Sequence, residues 1–136
     1  MLGHAVHTGS VNTGRILNGV GVNWLHGHDG GNAGVAYYDK WVTAQQGNVS
    51  LKTDWVVMCG TNAGPSQLKL ANGVSVGTAN GGAGGVELII NDINNARTYG
   101  NSDFAIAEVV VWPLGLTAKE MRRASKHLMD SMGMPS

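Results

Sequence analysis

Several features are scarce in this 136-residue chain, and each scarcity excludes a class of structure or partner. The lone cysteine, Cys59, rules out an internal disulfide. Only 13% of residues are charged, and nine basic residues cancel nine acidic ones, so the basic footprint of a nucleic-acid binder is absent. No stretch approaches the roughly 18 apolar residues that cross a bilayer. We therefore expect neither nucleic-acid binding nor membrane insertion.

What the chain has in quantity is glycine, with 21 residues, and a hydrophobic fraction of 43%. This balance is typical of short strands joined by tight turns. The length suits one domain with a sizeable core. No fixed-period repeat is visible, which disfavours a propeller or a solenoid.

The first two-thirds of the chain carries strand and turn signals without helical periodicity. Residues 1–14 are polar and turn-rich, and we expect them to be irregular. Two Asn-Gly pairs, Asn18-Gly19 and Asn72-Gly73, are strong two-residue turn signals. The segments predicted to contain strands are 15–28, 34–43, 54–59, 68–78 and 86–92.

The last third predicts one more strand followed by one helix. Residues 104–112 form an apolar run that ends at Trp112. Thr117 and Glu120 have the spacing of a capping box, and Leu116 and Met121 that of a hydrophobic staple. Apolar residues then recur at helical spacing until Gly133 and Pro135 supply a stop. The pattern predicts an amphipathic helix over about 118–132.

The ending SDFAIAEVVVWPLGLTAKEM resembles the closing strand and helix of the laminin G-like and concanavalin A-like lectin domains. Two earlier segments match the same family in order: DWVVMCGTN, residues 54–62, and LKLANGVSVGT, residues 68–78. The resemblance implies an antiparallel β-sandwich of jelly-roll type over 1–136, with strands within 15–112 and the helix within 117–132. The chain departs from the family in having few residues before the matched segments. This predicts a sandwich that is shortened or permuted, or one completed by a strand from a neighbour, and an uncovered sheet edge would favour a homo- or hetero-oligomer.

The residues argue against catalysis. Glycoside hydrolases need two carboxylates about 5 to 9.5 Å apart, and no strand here carries acids at alternate positions. Glu108 has only apolar residues around it, and either a structural or a functional role fits it. The glycine run over 77–85 lacks the Lys-Ser or Lys-Thr of a phosphate loop. An atypical hydrolase remains only as a weak third reading.

Aromatic residues beside polar loops could form a sugar-binding platform. The predicted ligand-binding candidates are Trp24, Tyr38 and Trp41, because one face of the strand that carries Tyr38 and Trp41 must point away from the core. Trp55 and Trp112 match core positions of the resembled family, and we interpret both as packing residues.

Metal binding has two candidate donor sets. Calcium is the ion that the resemblance implies, and its oxygen donors would come from two clusters: Asp29 and Asn32, and Asn91, Asp92 and Asn94. Turn formation explains the same residues equally simply. A zinc site would use His26 and His28, which alternate along a strand, completed by His4 or His7.

Two functions remain open from the sequence. The first is a non-catalytic lectin-like module that recognises a glycan or a protein through loops or an exposed sheet face. The alternative is a structural or accessory subunit whose incomplete jelly roll packs against partner chains. The compartment is undecided, since the absence of disulfides favours a reducing one and the sequon Asn48-Val49-Ser50 matters only after secretion.

Overall fold

The computed structural model describes residues 2–47, 55–64, 66–82, 84–91 and 102–136, with the backbone alone for 2–13. The fold is mainly β with one C-terminal helix, as predicted. Its elements, in chain order, are β1 Leu2–Thr13, β2 Leu17–Gly19, β3 Val22–Asp29, β4 Asn32–Tyr38, β5 Val56–Gly60, β6 Lys69–Ala71, β7 Val74–Ser75, β8 Leu88–Ile90, β9 Ser102–Val111 and α1 Ala118–Ser131.

The strands form two antiparallel sheets, compatible with a β-sandwich. One sheet has the order β7-β6-β5-β1-β9 and the other the order β4-β3-β2-β8. The N-terminal strand is therefore central, between β5 and β9. Its residue Ala5 pairs with Val57 on one side and with Glu108 on the other. The prediction that residues 1–14 are irregular is wrong for 2–13, because long-range pairing overrides a weak local strand signal.

Alternation along β5 creates two apolar layers, one on each face of the five-stranded sheet. Val56 and Met58 belong to the core between the two sheets. Val57 and Cys59 belong to a separate cluster with α1. The helix thus packs on the outer face of the five-stranded sheet, and the molecule has three layers.

The helix confirms the sequence prediction closely. It spans Ala118–Ser131, and the Thr117 hydroxyl accepts a hydrogen bond from the Glu120 backbone N–H, while the Glu120 carboxylate accepts one from the Thr117 N–H. These bonds pair two donors that a helix start leaves free. No described helix is long and apolar enough to cross a membrane.

Two predicted strand regions differ in detail. The strand expected over 34–43 ends at Tyr38, because Asp39 adopts a positive φ of 59° and the chain turns back so that Trp41 bridges to Tyr37. The Asn72-Gly73 turn between β6 and β7 is confirmed. The turn predicted at Asn18-Gly19 lies slightly later in the chain. It follows Gly19 and joins β2 to β3.

Candidate ligand-binding cleft

A cleft of about 230 Å³ opens at one end of the sandwich. Leu2 pairs with Gly60 on one side and Val111 on the other, so β5 and β9 both end there. The residues that follow these strands, 61–63 and 112–115, line the cleft together with the glycine-rich segment 84–86. Val111, Leu88 and Trp24 also line the cleft, and none of the described lining residues has a charged side chain.

Asn62 anchors the cleft wall. Its side-chain oxygen Oδ1 accepts a 2.8 Å hydrogen bond from Trp24 Nε1, and its backbone carbonyl accepts a 2.7 Å bond from the Gly84 N–H. Gly82 has a φ of +75°, and a Cβ placed there would lie 2.0 Å from Asn62 Oδ1. Only glycine allows this approach. Gly82 and Gly84 of the glycine run therefore approach Asn62 closely.

Thr61 brings an unsatisfied hydroxyl to the cleft lining. The residue is 8% exposed, and its Oγ1 is buried without a hydrogen-bond partner in the described part of the chain. Because the Oδ1 atom of Asn62 already accepts from Trp24, the amide nitrogen of Asn62 is left to donate elsewhere. Thr61 and Asn62 are thus two neighbouring polar residues in the cleft lining, and the hydroxyl oxygen of Thr61 is enclosed by the protein.

The rim of the cleft is apolar. Leu114 is 77% exposed and Val111 is 61% exposed. Trp112 is half-buried between them and the cleft interior. An aromatic surface beside hydrogen-bonding groups is the usual composition of a small-molecule site.

Two of the three candidate platform residues are buried. Trp24 is 2% exposed and Tyr38 is 1% exposed. Their rings stack on each other at 5.1 Å, within the sandwich core. Trp41 is half-buried and packs edge-to-face on Tyr37, with ring centroids 5.3 Å apart. Of these three described candidates, Trp24 is the one that lines the cleft.

Beneath Trp24, the sandwich core contains a buried polar cluster. His26 Nδ1 and the Tyr38 hydroxyl are 2.5 Å apart and hydrogen bonded. Burial lowers the pKa of His26 to about 3 and raises the pKa of Tyr38. Both side chains are therefore neutral near pH 7, which avoids the cost of a buried charge.

Lys69 completes this cluster from β6. Its side chain is buried, its Nζ donates to the Ser66 carbonyl at 3.1 Å, and Nζ lies 5.7 Å from the centre of the Tyr38 ring. No carboxylate in the described ranges forms an ion pair with it. Burial lowers its pKa to about 8. Gly60 makes room for the cluster, because a Cβ there would lie 2.8 Å from Lys69 Cδ and 2.7 Å from the Tyr38 hydroxyl.

A second, more open depression of about 280 Å³ lies near Tyr38 and is lined by Asp39, Lys40 and Asn80 together with Gly64 and Gly81–Gly82. It carries charge of both signs and only one aromatic side chain. The cleft and this depression thus differ in chemistry.

The histidine zinc hypothesis gains no third ligand. His26 and His28 both lie in β3, as predicted, and both are buried. His4 and His7 lie in β1, whose side chains are outside the description. No group of three His, Cys, Asp or Glu side chains suited to a metal occurs among the described ones.

The described calcium candidates are engaged in hydrogen bonds within the protein. Asp29 accepts from Arg15 Nε at 3.3 Å, and Asn32 Nδ2 donates to the Asp29 carbonyl at 3.2 Å. In the second cluster, Asn91 Oδ1 accepts from the Ser102 N–H at 2.7 Å. Asp92 and Asn94 lie outside the described residues. The described candidates thus stabilise turns and strand ends. This is the role that turn formation predicts for Asp and Asn residues.

Sequence reasoning missed Thr61, Asn62 and Leu114, and treated Trp112 only as packing. These residues follow β5 and β9, and they meet because both strands run antiparallel to β1. Recognising β1 would have placed the two strand ends side by side. Comparison with protein-family models, with curated proteins and with solved structures finds no match to this chain.

Proposed function

We propose that this chain is a non-catalytic recognition module, of the laminin G-like or concanavalin A-like kind, that binds a glycan in the cleft. The three ordered sequence resemblances support the family. The two-sheet fold and the capped helix after the closing strand β9 are compatible with it.

The observation that carries the proposal is the composition of the cleft. It combines the half-buried Trp112 with the neighbouring polar residues Thr61 and Asn62, in a concave space of about 230 Å³. A sugar ring has an apolar face and a rim of hydroxyl groups, which match an aromatic surface and side-chain hydrogen-bonding groups. A concave site of this size suits a sugar better than a protein surface, which needs a broad contact area.

Binding without turnover follows from the same lining. Glycoside hydrolysis uses two carboxyl groups, one as acid and one as base or nucleophile. Among the residues that the structure describes, no Asp or Glu lines the cleft. Glu108 is half-buried in β9, three residues before the strand end. The groups described at the cleft can bind a sugar. They include no carboxyl group that could protonate the glycosidic oxygen or activate a water molecule.

The test is a glycan array followed by calorimetry on the retained glycans. Trp112→Ala should weaken binding by about tenfold or more, since truncating an aromatic anchor costs well over 1 kcal/mol. Trp41→Ala is the matched control, because Trp41 is also half-buried but lies outside the cleft. Retention of no glycan, or equal affinity losses in both variants with intact circular dichroism spectra, would overturn the proposal.

A second function, as a subunit of an assembly, is favoured by β9. This ten-residue strand is at the edge of the five-stranded sheet, and Phe104 on it is 39% exposed. Natural proteins usually blunt such edges. If the edge pairs with another chain, the purified protein will be larger than its 14.2 kDa mass by light scattering, and the double variant Phe104→Lys, Ala107→Lys will return it to monomer. A monomeric wild-type protein would exclude self-assembly through this edge.

A further inference from the structure

We propose that one exposed face of α1 is a docking surface for an acidic protein segment, that is, a stretch of chain rich in Asp and Glu. The face, here called the basic face, consists of Lys119, Arg122, Arg123 and Lys126. None of these residues belongs to the described lining of the cleft. The inference therefore goes beyond glycan recognition and does not depend on it.

The four basic side chains form one stripe because of their spacing. They occupy positions i, i+3, i+4 and i+7, which fall on one side of a helix with about 3.6 residues per turn. All four are exposed. The stripe extends over about 10 Å, at roughly 1.5 Å of rise per residue. Four of the nine basic residues of a chain without net charge are thus gathered on one small surface.

The opposite side of α1 fixes the helix, so that the basic face is turned to solvent. Met121 and Leu128 are fully buried, in the apolar cluster that also contains Val57 of β5. Ser125, between them in the chain, is buried as well. The basic side chains therefore project from a backbone that is already ordered, and a partner does not have to order it.

The carboxylates of the helix already have partners. Glu120 accepts hydrogen bonds from the backbone N–H and the hydroxyl of Thr117, and these bonds, together with the charge of Arg123 to a smaller extent, lower its pKa. Asp130 accepts two bonds from Lys126 Nζ, at 2.9 and 3.0 Å. Apart from this last pair, no ion pair in the described part of the chain involves α1. Most of the positive charge of the basic face is therefore available to a ligand.

The stability of the helix does not account for these positions. Cations are favoured in the last turn, where the macrodipole is negative, and α1 has no basic residue there. Lys119 lies instead in the first turn. Lys119, Arg122 and Lys126 also follow one another at spacings of three and four residues, where like charges destabilise a helix. A local feature that opposes stability is expected at a site used for function.

The chemistry and the size of the basic face suit carboxylates on a narrow chain. The guanidinium groups of Arg122 and Arg123 can each bind a carboxylate through two parallel hydrogen bonds. The length of the stripe, about 10 Å, equals that of roughly three residues of extended chain. A segment with three or more successive acidic residues is therefore long enough to cover it.

A membrane surface fits the basic face less well. A helix that binds an anionic bilayer adds apolar residues that enter the lipid, and the apolar side of α1 is buried against the sheet in this molecule. A bilayer is also broad, so it would meet the exposed carboxylates of Glu120 and Asp130 as well as the cations. A narrow segment can follow the stripe and avoid Glu120.

Fluorescence anisotropy with the purified 136-residue chain tests the inference. The probes are two fluorescein-labelled peptides of equal length, hexaglutamate and its uncharged match hexaglutamine. In about 20 mM salt we expect hexaglutamate to bind about tenfold or more tightly than hexaglutamine, because exposed charges are weakly screened there. In about 0.5 M salt this preference should fall severalfold, since the Debye length is then only about 4 Å.

Removing charge from the basic face should weaken binding. The double variant Arg122→Gln, Arg123→Gln should bind hexaglutamate about tenfold less tightly, and its helix should persist because Gln and Arg have similar helix propensities. Arg122→Lys with Arg123→Lys should recover part of the affinity, since it restores the charge without the planar fork. For a control that removes one charge elsewhere, Lys40→Gln should change the affinity less than Arg123→Gln does, because Lys40 is exposed outside the helix.

Asp130→Asn should have the opposite effect. It releases Lys126 from its carboxylate and removes an anion from the end of the stripe. Hexaglutamate should therefore bind about two- to fivefold more tightly than it does to the wild type. A variant that merely loses structure would not gain affinity, and circular dichroism at 222 nm checks that the helix is intact.

Equal affinity for the two peptides would overturn the inference, as would wild-type affinity in the double glutamine variant or weaker binding by Asp130→Asn. Sedimentation with vesicles that contain phosphatidylserine, and light scattering in low salt, test the other occupants. Retention on the vesicles without binding of hexaglutamate would assign the basic face to a membrane. Salt-sensitive dimerisation that the double glutamine variant abolishes, again without peptide binding, would assign it to a second copy. Either result would overturn the proposal of an acidic segment.

Discussion

The two faces of the five-stranded sheet are covered in different ways. The outer face is covered by α1, and among the described residues the buried side chains there are apolar except for Ser125, with Leu128 and Met121 packed on Val57 and Cys59. The inner face meets the second sheet, and the core there includes the polar side chains of His26, Tyr38 and Lys69. The stability of the outer layer thus depends mainly on apolar packing, whereas that of the inner layer depends also on keeping buried polar groups paired or neutral. The cleft opens where the inner layer reaches the surface, at Trp24.

The largest expected effect lies in the outer layer. Leu128→Ala should lower the free energy of unfolding by about 2 to 5 kcal/mol, because it removes a fully buried side chain and leaves a cavity. Chemical denaturation measures the change. Leu114→Ala is the control, since Leu114 is exposed, and its change should stay within about 0.5 kcal/mol. A loss below about 1 kcal/mol for Leu128→Ala would contradict tight packing of α1 on the sheet.

A smaller effect is expected in the inner layer from Tyr38→Phe. The substitution keeps the ring stack with Trp24 and removes only the hydroxyl that bonds His26. Leaving a buried nitrogen without that partner should cost about 1 to 3 kcal/mol. Tyr37→Phe on the same strand is the matched control and should be nearly neutral by the same denaturation measurement. Equal stability of the two variants would show that the Tyr38 hydroxyl does not contribute.

The pH dependence of stability sharpens the comparison further. Burial lowers the pKa of Lys69 from 10.5 to about 8 in the folded protein. Between these values the unfolded chain binds the extra proton, so Lys69 makes stability rise with pH, by at most about 1.4 kcal/mol per pH unit. Burial raises the pKa of Cys59 from 9.0 to about 12. Cys59 therefore makes stability fall as the pH rises above 9.

The variant Lys69→Met isolates the lysine contribution, because Cys59 is common to both proteins. The stability advantage of the variant over the wild type should be largest below pH 8 and should shrink as the pH rises towards 10.5. Urea denaturation at several pH values measures the difference. Lys119→Met, on the exposed start of α1, should show no such trend. A stability difference that is flat with pH would mean that the Lys69 ammonium is solvated in the folded protein.

The smallest expected effect is at the start of the helix. Thr117→Ala removes the side-chain acceptor for the Glu120 N–H and should cost about 1 kcal/mol. Thr117→Ser retains the oxygen and serves as the control. Thermal unfolding followed at 222 nm measures both, and equal midpoints would show that the cap contributes nothing to the stability of the outer layer.

The outer layer was largely predictable from the sequence because its signals are local. Thr117 and Glu120 are three residues apart, and the helix spacing from Met121 onward needs no distant partner to be recognised. The Asn72-Gly73 hairpin is similarly local.

The inner layer was harder to predict because it depends on pairings between distant segments. β1 is rich in polar residues, and its place between β5 and β9 comes from partners more than 50 residues away. Alternation assigned Tyr38 to one face of a strand without revealing that this face is inside. Trp112 was recognised as packing, yet the neighbouring end of β5, with Thr61 and Asn62, makes it part of a cleft.

The most direct test of the central claim is a ¹⁵N NMR titration of the wild-type protein with its tightest glycan. We expect the largest shifts at the Thr61 and Asn62 amides, the Asn62 side-chain amide and the Trp112 indole N–H, with little change at Asp39, Lys40 and the helix. Shifts centred instead on the Asp39–Lys40 depression or on the β9 edge, with the cleft resonances unmoved, would contradict the assignment of the cleft as the recognition site.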